Sequence, residues 1–146
     1  MQLTPYLTFN GQCQAAFKFY QQCLGGQIEL MMTHGDSPIA DQVPPEWHEL
    51  ILHARLVVKD AVLFGSDNPP SGGGSSDSRI DDPERARGMH VALHVDDPAE
   101  AERIFNAFAE NGAIKMPLQK TFWADCFGMV LDRFGTPWMI NGGRGT

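Results

Sequence analysis

The chain has 146 residues, of which 42% are hydrophobic and 20% charged, and these values are typical of one globular domain rather than a disordered chain. The net charge of −7 argues against nucleic acid or an anionic membrane as partner, because both need a basic surface. No apolar run approaches the roughly 20 residues that span a bilayer, and no signal-peptide pattern opens the chain. The three cysteines form no CxxC motif, so we expect a cytoplasmic protein with reduced thiols.

The first half of the chain predicts four strands and one helix. Alternation of apolar and polar residues, or a short apolar run, predicts strands at 3–9, 27–33, 50–58 and 61–65. A helix lies between the first two strands, with Asn10 as its cap and Gly25-Gly26 as its end. Its predicted buried stripe consists of Ala16, Phe19, Tyr20 and Cys23.

The second half predicts the same plan after a change of composition. Proline, glycine, serine and charged residues dominate the stretch from Ser66 to Arg87, which we read as a linker. Asp97, Pro98 and Glu100 then form a strong helix start, and the helix buries Ala101, Ile104, Phe105 and Phe108. Further strands are predicted at 89–95, 114–122, 124–131 and 137–141. The prediction is therefore a single domain, 1–146, with module 1 at 1–66, a linker at 67–87 and module 2 at 88–146.

The two halves are related by an internal repeat. When the chain is written beneath itself with Leu7 on Leu93, Phe9 falls on Val95, Phe19 on Phe105, Gly26 on Gly112 and Ile28 on Ile114. Such a repeat predicts a pseudo-symmetric domain of two β-α-β-β-β modules, and ligands prefer the interface between two such copies. We therefore look for function at positions where the chemistry of the two halves differs.

Paired β-α-β-β-β modules resemble the vicinal oxygen chelate superfamily, which includes glyoxalase I, extradiol dioxygenases and bleomycin-resistance proteins. The resemblance is closer to its PhnB-like branch, whose members often carry a demethylubiquinone-methyltransferase label. The motifs that carry it are 5–11, Phe19-Tyr20, 24–26, His53-Ala54, Ser66-Asp67, 121–124, Phe127-Gly128 and 134–141. The resemblance implies an α+β fold, in which the two modules form a curved mixed-sheet cup with the helices outside.

The same resemblance implies where the ligands of a metal site would lie in this sequence. The family's ligand on the fifth strand matches His90, and its counterpart on the first strand matches Thr4 by the repeat or Pro5 by direct alignment. Family enzymes place carboxylates at two further positions, which fall near Phe64 and on Met139. A catalytic divalent ion needs several convergent nitrogen or oxygen ligands. If a divalent metal is bound, we expect His90 as its one retained family ligand, and one ligand is too few for the standard metal-assisted mechanism of the superfamily.

The predicted cup still contains side chains suited to a small molecule. Histidine acts as a base or ligand near neutral pH, and an arginine suits a carboxylate, phosphonate or phosphate through bidentate contact. Phe64 adds to the apolar wall. The candidate substrate-binding residues are Tyr6, His53, Arg55, Ser66, Asp67, His90, His94, Trp123 and Met139. Structural alternatives stay open for four of these residues: His53 bonded to a neighbouring backbone group, Arg55 paired with a carboxylate such as Asp67, His90 as a hydrogen-bonded interior residue, and His94 in a structural role.

The first-ranked prediction is a protein that binds a small molecule between the modules without the complete glyoxalase set of metal ligands. The alternative is a metal-dependent lyase, isomerase or oxygenase with a modified site, so the sequence leaves open whether the chain is an enzyme. The sequence gives no evidence for S-adenosylmethionine, because no strand leads through a glycine-rich loop into a helix. The family resemblance further implies a homodimer.

Overall fold

The computed structural model describes residues 1–68 and 88–143 and divides the chain into two compact units, Met1–Asp82 and Pro83–Thr146. Each unit contains one β-α-β-β-β module, which confirms the predicted α+β class and the tandem repeat. Most of the predicted linker, residues 69–87, lies outside the described residues. The single domain and the cup that the modules would form together stay predictions. Neither helix in the described ranges is long and apolar enough to cross a membrane.

The first unit is a four-stranded mixed sheet with one helix. Its elements are β1 (Tyr6–Phe9), α1 (Cys13–Leu24), β2 (Gln27–Thr33), β3 (Ile51–Val58) and β4 (Ala61–Asp67). The strand order is β1-β4-β3-β2, with β1 parallel to β4 and the other pairs antiparallel. Strand β1 begins later than predicted, and β4 continues to Asp67, so the predicted linker begins inside this strand. Two short 3-10 turns, Ala40–Gln42 and Pro45–Trp47, lie in the connection from β2 to β3.

Helix α1 packs on one face of this sheet. Its buried residues are Cys13, Ala16, Phe17, Tyr20 and Cys23. Phe17 therefore takes the core position predicted for Phe19, because it lies one turn after Cys13 and one turn before Tyr20. The Phe17 ring lies over Gly65 of β4, where an added Cβ would come within 2.5 Å of ring atom Cε1. A glycine is needed there because the helix approaches the sheet so closely.

A buried carboxylate joins the start of α1 to the sheet. Asp67 is 5% exposed, and its Oδ1 accepts a hydrogen bond from Cys13 N at 2.9 Å. Its Oδ2 accepts one from Ile51 N, also at 2.9 Å, at the beginning of β3. The N-cap residue of α1 is Gln12, which makes no side-chain capping bond, so the prediction of Asn10 as the cap is wrong. The capping oxygen comes from a strand that is distant in sequence.

The second unit repeats the architecture. Its elements are β5 (Val91–Val95), α2 (Pro98–Ala109), β6 (Ala113–Gln119), β7 (Cys126–Leu131) and β8 (Pro137–Gly142). The order is β5-β8-β7-β6, with β5 parallel to β8. The buried stripe of α2 is the predicted one, Ala101, Ile104, Phe105 and Phe108. Asp97 caps this helix as predicted, since its Oδ1 accepts a hydrogen bond from Ala99 N at 3.0 Å.

A second buried carboxylate organises the β7–β8 turn. Asp132 Oδ1 accepts hydrogen bonds from the backbone N–H groups of Phe134 and Thr136, at 2.8 and 3.0 Å. Its Oδ2 accepts one from Trp138 Nε1 at 2.9 Å, and the Trp138 ring is buried against Phe108 of α2. The turn and the core of this unit are thus held by one side chain.

Replacing Asp67 with alanine is expected to lower the free energy of unfolding by about 3 kcal/mol, because two buried N–H groups lose a charged acceptor. Urea-induced unfolding measures this loss. Asp60→Ala, in the exposed turn between β3 and β4, is the matched control and should change the value little. Equal effects of the two substitutions would show that the Asp67 hydrogen bonds contribute no special stability.

The Cys13 thiol gives a pH-dependent prediction. Burial, and then the negative charge of Asp67, raises the pKa of this thiol from 9.0 to about 12. The unfolded chain therefore loses the proton first, so the stability that Cys13 contributes below pH 9 is lost as the pH rises from about 9 towards 12. We expect the difference in unfolding free energy between wild type and Cys13→Ala to shrink between pH about 8 and about 10.5. A constant difference would contradict this.

Candidate functional site

Side chains alternate between the two sides of the sheet along β3 and β4, and this gives the first unit two chemically different sheet faces. Ala54, Leu56 and Gly65 lie on the α1 side, where the first two are fully buried. The intervening residues point to the opposite face, and the β1–β4 register places Tyr6 beside Phe64. We call this surface the Tyr6 face and define it by Tyr6, His53, Arg55, Phe64 and Ser66. Four of these five residues belong to the site predicted from the sequence.

Three rings form the centre of the Tyr6 face. The His53 and Phe64 rings are 4.9 Å apart, between centroids, at an interplanar angle of 61°. The Tyr6 ring stacks on His53 at 6.0 Å and 27°, and it meets the Phe64 ring edge-on at 6.4 Å. Such spacings are those of favourable aromatic pairs. Tyr6 nevertheless remains 50% exposed, so the cluster presents a partly open aromatic surface.

A cation borders the aromatic cluster. The guanidinium carbon of Arg55 lies 5.7 Å from the centroid of the Phe64 ring, within the range of a cation–π interaction. Arg55 Nε lies 3.4 Å from Oε1 of Glu29, so the acidic partner of this arginine is Glu29 and not Asp67. The register of β2 against β3 shifts between Ile28 and Leu30, and Glu29 lies within this shift. Glu29 could not be predicted as a site residue, because strand alternation in a sequence does not reveal such an irregularity.

Several polar groups of the Tyr6 face have no hydrogen-bond partner within residues 1–68 and 88–143. These groups are the Tyr6 hydroxyl, the two ring nitrogens of His53 and the hydroxyl of Ser66. The structural alternative for His53, a bond to a neighbouring backbone group, is therefore not found in the part of the chain that the structure describes. These donors and acceptors lie beside an apolar surface, which is the combination found in small-molecule sites.

Asp67 lies on the other side of the sheet from its neighbour Ser66. Its two oxygens accept hydrogen bonds from the backbone of α1 and β3, and the side chain is buried. The sequence predicted both residues as part of the binding site, and the structure corrects this for Asp67, because the two side chains lie on opposite faces of the sheet. Ser66 stays in the candidate site, and Asp67 has a structural role.

The candidate residues of the second unit are less concentrated. His94 and Met139 lie on the sheet face opposite α2, where Ala92 pairs with Met139 and His94 with Asn141. His94 Nε2 lies 3.6 Å from Oδ1 of Asp96, and both side chains are exposed by half or more. Trp123 precedes β7 and contacts the Phe127 ring at 5.3 Å. His90 is exposed and precedes β5, which begins at Val91, so the structure places it outside the strand in which it was predicted.

The described residues do not fit a divalent metal. No three histidine, cysteine, aspartate or glutamate side chains within 1–68 and 88–143 converge on a point that would hold an ion. The strand registers show that two positions at which the family resemblance implied carboxylates correspond to each other in the two units. Tyr6 pairs with Phe64, and Ala92, which falls on Tyr6 in the repeat, pairs with Met139. Phe64 and Met139 are thus equivalent positions, and neither side chain offers a ligand that such an ion prefers.

Comparisons with known proteins agree with this architecture. Residues 2–140 match the family model of the Glyoxalase/Bleomycin resistance protein/Dioxygenase superfamily. Protein YjdN of Escherichia coli strain K12 is 35% identical over 97% of this chain and 95% of its own length. The crystal structure of protein PA1353 from Pseudomonas aeruginosa is 47% identical, with a TM-score of 0.83 over 99% of this chain and 98% of that one.

A more distant structure shows the fold alone. It is described as a putative 3-demethylubiquinone-9 3-methyltransferase, PhnB protein, from Bacillus cereus, and it has a TM-score of 0.75 at 19% identity. The alignment covers 98% of this chain and 100% of that chain. The superfamily that the sequence motifs indicated is confirmed by the family model.

The Arg55–Glu29 pair is partly exposed, with 41% and 48% of the two side chains accessible, so we expect it to contribute little to stability. Arg55→Gln should change the free energy of unfolding by less than about 1 kcal/mol. Trp138→Phe, which removes the donor to buried Asp132, should cost roughly 2 kcal/mol and serves as the structural comparison. Chemical denaturation of the two variants checks this, and a large loss in Arg55→Gln would make the pair a structural element.

Proposed function

The chain belongs to the Glyoxalase/Bleomycin resistance protein/Dioxygenase superfamily, and we propose that it binds a small aromatic molecule on the Tyr6 face. The observation that supports this proposal is the coexistence of stacked, partly exposed rings with polar groups that have no partner among the described residues. A sheet face that only needed solvent contact would not require three adjacent rings. A face buried in a core would not leave Tyr6 half exposed.

The chemistry of the face defines the ligand in outline. The Phe64 and Tyr6 rings offer surface for an apolar, flat group, since offset or edge-on contact between rings is favourable. His53 can donate or accept a hydrogen bond according to its tautomer, and the Ser66 hydroxyl can do both. The ligand is therefore a small ring compound with at least one polar substituent. Binding is the function proposed, and no reaction step is assigned to these residues.

Three further expectations from the sequence stay predictions. They are the homodimer, the cytoplasmic location and a contribution of the second unit through His90, His94, Trp123 and Met139. Sedimentation at micromolar concentration tests the first of them directly, because a monomer there would contradict the homodimer.

The proposal is tested by screening a library of small neutral and charged ring compounds against the full chain with saturation-transfer NMR. Tyr6→Ala should weaken the compounds that bind by at least about tenfold, because the stacked ring supplies contact surface. Tyr6 is half exposed, so its removal should leave the fold intact, and circular dichroism verifies this.

The matched control is Ile114→Ala, which removes another exposed apolar side chain, on β6 and outside the Tyr6 face. Compounds that bind the Tyr6 face should be unaffected by this control. The proposal is wrong if no compound binds, or if binding depends on Ile114 and not on Tyr6.

A further inference from the structure

The Arg55 guanidinium faces an acidic residue with its Nε and leaves its two terminal nitrogens, Nη1 and Nη2, without a partner among the described residues. Its Nε is closed off from solvent, faces Glu29 at 3.4 Å and forms no well-aligned hydrogen bond. No hydrogen bond or ion pair joins Nη1 or Nη2 to a residue within 1–68 and 88–143, although 41% of the side chain is accessible. Nη1 and Nη2 form the outer edge of a guanidinium, and they can donate two parallel hydrogen bonds to two oxygens of one oxyanion.

The charges and rings around Nη1 and Nη2 of Arg55 favour one kind of oxyanion over another. Glu29 places a negative charge at the inner end of the guanidinium, and the chain carries a net charge of −7. A second full negative charge on the ligand would therefore be repelled, which favours a singly charged carboxylate over a phosphate dianion. The Phe64 ring lies beneath the Arg55 guanidinium, and the His53 and Tyr6 rings continue the surface away from it.

We propose that the ligand of the Tyr6 face is an aromatic monocarboxylate, whose carboxylate binds Nη1 and Nη2 of Arg55 while its ring lies against Phe64 and Tyr6. Glu29 is a specificity-determining residue in this arrangement, because its negative charge beside Arg55 Nε sets how much negative charge the site accepts. This inference rests on the proposed function and adds to it the class of ligand and the residue that recognises its charge.

The test uses three probes of similar shape with the full chain: benzoate, neutral benzamide and the phenylphosphate dianion. Isothermal titration calorimetry at low ionic strength gives their dissociation constants. Wild type should bind benzoate at least about fivefold more tightly than benzamide, and phenylphosphate more weakly than benzoate. Arg55→Gln should bring benzoate to the affinity of benzamide, while the affinity for benzamide itself stays unchanged.

Glu29→Gln provides the second arm. Removing its charge should strengthen the binding of both anions by about fivefold or more, with the larger gain for phenylphosphate. The affinity for neutral benzamide should not change. Lys59→Gln and Glu49→Gln, which change exposed charges in the β3–β4 turn and the β2–β3 connection, are the matched controls and should alter none of the ratios.

The outcomes separate this inference from the proposed function. Equal binding of benzoate and benzamide, both weakened by Tyr6→Ala, overturns the role of Arg55 and leaves ring binding in place. Tighter binding of phenylphosphate than of benzoate by wild type overturns the monocarboxylate assignment. Failure of benzoate to bind also overturns the inference, whereas the proposed function is then decided by the neutral compounds of the library.

Discussion

The architecture of the first unit depends on the two hydrogen bonds of Asp67. One carboxylate fixes the first turn of α1, the beginning of β3 and the end of β4. Since side chains alternate along a strand, holding Asp67 on the helix side also holds Ser66 and Phe64 on the other. The interaction that positions the helix therefore determines which residues form the Tyr6 face.

The second unit also caps the first turn of its helix with an aspartate, but this aspartate comes from a different place in the chain. In the repeat alignment Cys13 falls on Ala99, and both backbone N–H groups donate to an aspartate. The acceptor of Ala99 is the adjacent Asp97, whereas the acceptor of Cys13 comes from β4. Gly142 occupies the register position of Asp67, and a Cβ there would lie 2.6 Å from that of Ala101. The second unit has no room for the long-range cap and needs the local one.

Sequence reasoning succeeded where the controlling signal is local. The α2 stripe and the Asp97 cap follow from helical spacing and from a motif of four consecutive residues, and the structure has both. It failed for Asp67 and Glu29, because the first depends on a contact 54 residues away in the chain and the second on a register irregularity. Tyr6, His53, Arg55 and Ser66 could be placed on one face because strand alternation and the repeat both constrain them. Their mutual distances required the sheet register.

The Tyr6 face has a composition that folding does not require. A partly exposed ion pair contributes little to stability, and the rings of Tyr6 and Phe64 are not sealed in the core. The equivalent pair in the second unit, Ala92 and Met139, shows that the same strand register forms with much simpler side chains. The fold therefore tolerates either set, and the richer chemistry of the first unit needs a cause other than stability. An aromatic ligand whose charge is recognised by Arg55 supplies that cause, because it uses both the open guanidinium edge and the exposed rings.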